Sequence, residues 1–280
     1  ANSIGSFNVA LGSTTMQGST STLHTGSHNV AVGRGAMTKV EGDAAGNVAV
    51  GRAAINELTT GDYNIALGYN VMYNTTTGGN NIGIGQSALE RNTTESNHIA
   101  IGSSAMGGAY GQTATGAYNL AIGHQAMRYG SQANGNYNIG IGYKALYGSN
   151  GNSSAANYNV AIGYEALEAN TTGDNNVAVG TQALEANTTG TRNLAIGYRA
   201  LDAADTENDN IAIGYDALGG SVAGGEYNVS IGNYSLDALT TADYNVAIGH
   251  NAGTLIQDGG SNVVIGAEAA GNGDIGANNV

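Results

Sequence analysis

Short bursts of alternating apolar and small residues return along the chain at nearly equal intervals. Each burst reads Asn, aliphatic, small, aliphatic, Gly. It appears as NVALG at Asn8, NIALG at Asn64, NIGIG at Asn81, NLAIG at Asn119 and NVAIG at Asn159 and Asn245. Fifteen copies are present, and one of them, HIAIG, carries His98 in the asparagine place. The closing glycines, among them Gly68, Gly85, Gly102, Gly123, Gly142, Gly163, Gly180 and Gly197, set a basic period of 17 residues that stretches to 21 in places. Alternation over so few residues predicts a short strand with one inward face. Taken by hydrophobicity, pairs such as Ile65 with Leu67 and Val160 with Ile162 point inward. The Ala or Gly between them then forms a smooth outer face that another chain can approach.

Three and four positions after each glycine a second apolar spot follows, as in Ala145-Leu146 and Ala166-Leu167. Its larger member forms a column: Met37, Met72, Leu89, Met106, Met127, Leu146, Leu167, Leu184, Leu201 and Leu218. This spacing predicts a second short strand on another wall, with the methionines as core filling. The rest of the period, such as NTTGDYN from Asn170, is rich in turn-forming residues. Two strands and two turns per period make one coil of an all-β, parallel β-solenoid. At about 4.8 Å per coil, the fifteen repeats would extend on the order of 70 Å. The whole chain, 1–280, reads as one repetitive shaft. A sixteenth cassette opening at Asn279 leads us to expect a segment of a longer polypeptide.

Composition narrows the picture. Glycine occurs 46 times and proline never, so nearly every backbone N–H is expected to have a ladder partner. Cysteine is absent, which excludes disulfides, thiolate metal sites and a cysteine nucleophile. The net charge of −13 has the wrong sign for gripping a phosphate backbone, so nucleic acid is not expected as a partner. No run of apolar residues is long enough to insert in a membrane.

The cassette followed by its turn, seen as NVAIGYEALEANTTGDN and NVAVGTQALEANTTGTR, resembles the shaft repeats of bacteriophage tail fibres and tailspikes. It is also similar to a lengthened form of the head repeat of trimeric autotransporter adhesins. That resemblance implies a left-handed parallel β-roll shared by three chains, hence a homotrimer. It implies a structural fibre shaft that holds a recognition module at fixed reach, at a virion surface or otherwise outside the cell. The alternative is a bacterial surface adhesin that binds a cell-surface glycan or protein receptor along its length. A polysaccharide-degrading tailspike and an ice-binding rod are further readings.

Candidate chemistry is sparse, and no catalytic residue, metal site or cofactor is expected. The five histidines share no ligand spacing. Tyr69, Tyr143, Tyr164, Tyr198 and Tyr215 directly follow repeat glycines and read as a partly exposed stacking column. Glu90, Glu168, Glu185, Asp202 and Asp237 form an acidic column, and stacked carboxylates repel, so this column is expected to face water or counter-ions. Asp62, Asp174 and Asp243 recur at equivalent turns. The N-x-T triplets at Asn74, Asn92, Asn170 and Asn187 read as turn chemistry on one corner of the repeat. Paired threonines at 59–60, 76–77, 93–94, 171–172, 188–189 and 240–241 form the ladder behind the ice-binding reading. Three consecutive long intervals cover residues 102–163 and carry Tyr110, Tyr129 and Tyr147. Tyrosine with Asn, Ser and Gly suits glycan or protein contact, which makes these three the candidate receptor contacts.

Overall fold

The computed structural model describes residues 5–18, 25–108, 116–129, 135–148, 155–220, 224–271 and 275–280. Among the described residues there are fifteen strands of three residues each and no helix. They divide between two compact units, the first ending at Asn138 and the second starting at Ile139, with Ala155 belonging to the first. The first unit holds β1 (Val9–Leu11), β2 (Val30–Val32), β3 (Val48–Val50), β4 (Ile65–Leu67), β5 (Ile82–Ile84), β6 (Ile99–Ile101) and β7 (Leu120–Ile122). The second holds β8 (Ile139–Ile141), β9 (Val160–Ile162), β10 (Val177–Val179), β11 (Leu194–Ile196), β12 (Ile211–Ile213), β13 (Val229–Ile231), β14 (Val246–Ile248) and β15 (Val263–Ile265). Within each unit consecutive strands pair parallel and in register, Ala49 against Ala66 in one and Ala178 against Ala195 in the other. The protein is an all-β parallel solenoid with a period of about 17 residues.

The glycine that closes each strand is required by its backbone. Gly163, Gly180 and Gly197 have φ of 143°, 139° and 140°, values that side chains of L-residues disfavour. A Cβ there would stand 2.1–2.2 Å from the carbonyl oxygen of the next repeat glycine.

The second wall differs from the expected strand. After each closing glycine the second and fourth residues take left-handed conformations: Glu165 and Leu167 have φ of 53° and 51°, Gln182 and Leu184 58° and 52°. The chain therefore turns a corner here, yet the ladder continues through it. The Glu165 N–H donates back to Tyr143 and the Leu167 N–H forward to Ala183. Alternating handedness bends the backbone while still presenting N–H groups to both neighbouring coils.

The larger correction concerns which side of the strand faces in. Ala49, Ala66, Ala100, Ala161, Ala178, Ala195 and Ala212 are wholly buried, whereas the flanking Val, Ile and Leu are part-exposed or exposed. Space decides this. Where Gly83 replaces the alanine, a Cβ would lie 2.6 Å from Cγ1 of Val71 and 3.1 Å from Cε of Met72. The turn side chains already fill much of the narrow coil, so the strand contributes Ala or Gly in most coils, with buried Ser230 and Val264 as departures and Asn on the same parity. Met37, Met72, Leu89, Met127, Leu146, Leu167, Leu184, Leu201 and Leu218 are buried in this core, and Met106 is half-buried.

The asparagines form a second interior column. Asn47, Asn64, Asn159, Asn176 and Asn210 are fully buried. Each Oδ1 accepts the backbone N–H of the next asparagine, as Asn47 does from Asn64 at 2.8 Å and Asn159 from Asn176 at 2.8 Å. Each Nδ2 donates to a turn carbonyl of the following coil, Asn64 to Gly78 at 2.8 Å and Asn176 to Gly190 at 2.7 Å. The polar atoms are satisfied in pairs, which is what permits their burial.

Candidate functional surface

The strands turn one side outward, and that side is aliphatic throughout the described strands. Val50, Ile65, Ile99, Ile162 and Ile196 are each 37–38% exposed. In a thin solenoid these residues are excluded from the core by the fit described above, so the face is a product of the repeat and not of drift.

Aromatic columns border it on both sides. Tyr118 stacks on Tyr137 with ring centroids 5.1 Å apart, and Tyr227 on Tyr244 at 5.0 Å. These rings precede the asparagine column. Past the closing glycine, Tyr143 stacks on Tyr164 at 5.1 Å and Tyr198 on Tyr215 at 5.0 Å. Exposure runs from 39% for Tyr143 to 64% for Tyr63. Stacked planes turn their edges and hydroxyls outward.

The acidic column is more enclosed than its charge suggests. Glu90, Glu168, Glu185 and Asp237 are half-buried and Asp202 is buried, because they sit one position past the buried Leu of the turn. Burial raises the Asp202 carboxyl above its ordinary range, against the Arg199 guanidinium 2.6 Å away. Burial, then the neighbouring Glu165, raises Glu185 as well. Carboxylate oxygens of Glu165, Glu168 and Glu185 come within 4.8 Å of one another. The Lys144 ammonium already serves this group, 2.8 Å from Glu168 and 3.6 Å from Glu165. Of the water or counter-ions expected around this column, part is thus supplied as a counter-ion by the chain itself.

The remaining candidates resolve into coil-to-coil bonds. Asp62, Asp174 and Asp243 each accept a backbone N–H of the preceding coil, from Ala45, Asn157 and Glu226 at 2.6–2.8 Å. The first threonine of a pair donates to a carbonyl of the next coil, as in Thr59 to Thr76 and Thr171 to Thr188. One exposed threonine per pair is left, not two. Asn92, Asn170 and Asn187 are buried. Asn74 is not on their corner: it stands one position earlier in its coil, and Thr75 takes the buried place.

Of the three candidate receptor contacts, Tyr110 lies outside the described residues. Tyr129 has the Arg128 guanidinium 4.9 Å from its ring centre, and Tyr147 has the Lys144 ammonium at 5.0 Å. Tyr129 belongs to the first unit and Tyr147 to the second. Of the inserted stretches, 109–115, 130–134 and 149–154 also lie outside the described residues.

His98 is the residue whose role the spacing of histidines hid. It is buried in the asparagine column, its Nε2 3.0 Å from the Gly116 carbonyl and its Nδ1 accepting the Asn119 N–H at 3.3 Å. The ring thereby copies both bonds of an asparagine side chain. Burial lowers its pKa to about 4. The signal was its place in the cassette.

No family model, curated protein or solved structure matches the chain. The functional reading therefore rests on the surface itself.

Proposed function

We propose that this chain is a structural fibre shaft, a rigid spacer in a phage tail fibre or similar virion appendage, assembled from three copies packed through their aliphatic strand faces. The observation that carries this reading is the uncharged Val/Ile face. Monomeric proteins seldom expose an apolar patch beyond roughly 300–600 Å². In the second unit eight strands contribute to this face, with Ile162, Ile196, Ile248 and Ile265 exposed at 36–67% and the remaining strand aliphatics part-exposed. In-register ladders within each unit supply stiffness, and Asp62, Asp174, Thr59 and Thr171 are held in coil-to-coil bonds.

The exposed tyrosine columns favour one second reading, a bacterial surface adhesin that binds along its length. The two readings separate in a binding assay of the purified chain on surface glycans and on intact host cells. A spacer gives no saturable binding. Saturable binding that falls when Tyr118, Tyr137, Tyr227 and Tyr244 are changed to Ser would overturn the spacer and establish the adhesin.

A further inference from the structure

We propose that the seam between β6 and β7 is an acid-sensitive opening point built into the first unit, with His98 as its trigger. In an asparagine ladder each seam is held by an amide that has no titratable proton in the physiological range. At this seam the same two bonds are made by an imidazole. Nε2 donates to Gly116 and Nδ1 must stay unprotonated to accept from Asn119. A proton on Nδ1 would set two donors face to face and place a buried positive charge against them.

Among the described residues, none packed around the ring compensates that charge. The preceding coil offers Asn81, whose Oδ1 accepts the His98 backbone N–H at 2.9 Å. The following coil offers Gly116 and Asn119. Glu95, the acid in the turn before it, spends its carboxylate on the N–H groups of Thr93 and Thr94 at 2.8 and 3.0 Å. Desolvation is the leading cause of the lowered pKa, and no charged neighbour contributes to it. The coil that follows is also a long one, 21 residues between Gly102 and Gly123.

The sign follows from linkage. Once the seam opens, the ring is hydrated and titrates near its ordinary 6.5, whereas in the closed seam it titrates at about 4. The closed form is therefore fully favoured above pH 6.5 and loses ground as pH falls from there to about 4. Below that the loss levels off. A gap of that size corresponds to a roughly 300-fold rise in the opening equilibrium over this window.

Hydrogen exchange on the intact chain, read peptide by peptide from pH 7.5 to 4.5 and corrected for the intrinsic rate, tests this. Peptides across 97–102 and 117–123 should lose protection by one to two orders of magnitude more than the β10–β11 seam. His98→Asn, which restores the repeat residue, should abolish that excess. An equal pH response in the variant, or no excess at this seam, would overturn the proposal. An imidazole titration by NMR that places His98 at 6.5 in the folded chain would overturn it independently.

Discussion

Where a coil carries asparagine at the head of its strand, that residue holds the neighbouring coils in register, as Asn176 does with three hydrogen bonds. Asn176 donates its backbone N–H to Asn159, donates Nδ2 to Gly190, and accepts the N–H of Asn193. Replacing it with alanine strands a buried N–H and a buried carbonyl, so Asn176→Ala should cost about 1–3 kcal/mol, read from the denaturant midpoint. Gly180→Ala meets a different obstacle, a φ of 139° and a carbonyl 2.2 Å from the new Cβ, and should cost about 1–3 kcal/mol in backbone strain. Leu184→Ala, in the fully buried column, should cost about 2–5 kcal/mol. The glycines and the Leu/Met column were legible from spacing alone. The asparagine's burial was not, because a polar residue at a strand start also reads as a turn.

At the scale of the strand, alternation marks two faces and does not say which is inside. Hydrophobicity chose the Val/Ile pair. The structure chooses Ala or Gly in most coils, because the turn side chains fill the interior, and at Gly83 even a Cβ would meet Val71 and Met72. A legible clue was there, since Asn, Ala and the close-packed Gly share one parity and a ladder of asparagines fits an interior better than a solvated face. The turn wall misled in a similar way: its apolar pair was correctly a core, but a ladder can run through left-handed residues without forming a strand. The outward aliphatic face makes its own prediction. Ile162→Lys with Ile196→Lys should leave the circular-dichroism spectrum nearly unchanged, because both side chains are already part-exposed, while weakening association between copies and lowering the thermal midpoint only by the stabilisation that association supplies. Loss of the fold in that variant would mean the two isoleucines are core residues.

For the molecule as a whole, charge is distributed unevenly. Of the 21 acids, 15 stand in the second unit, against 3 of the 8 bases. Copies packed side by side in register would bring these acids near one another, so association through an uncharged face should tighten with added salt as the repulsion is screened. An ion-paired interface would respond in the opposite direction, and sedimentation at low and high salt distinguishes them. The central claim, that the Val/Ile face is where chains of a fibre meet, is tested most directly by the solution mass of the purified chain by light scattering at neutral pH. The account predicts close to three times the 28.0 kDa of one chain, falling toward one chain in the double lysine variant. A clean monomer for the unaltered chain would contradict it.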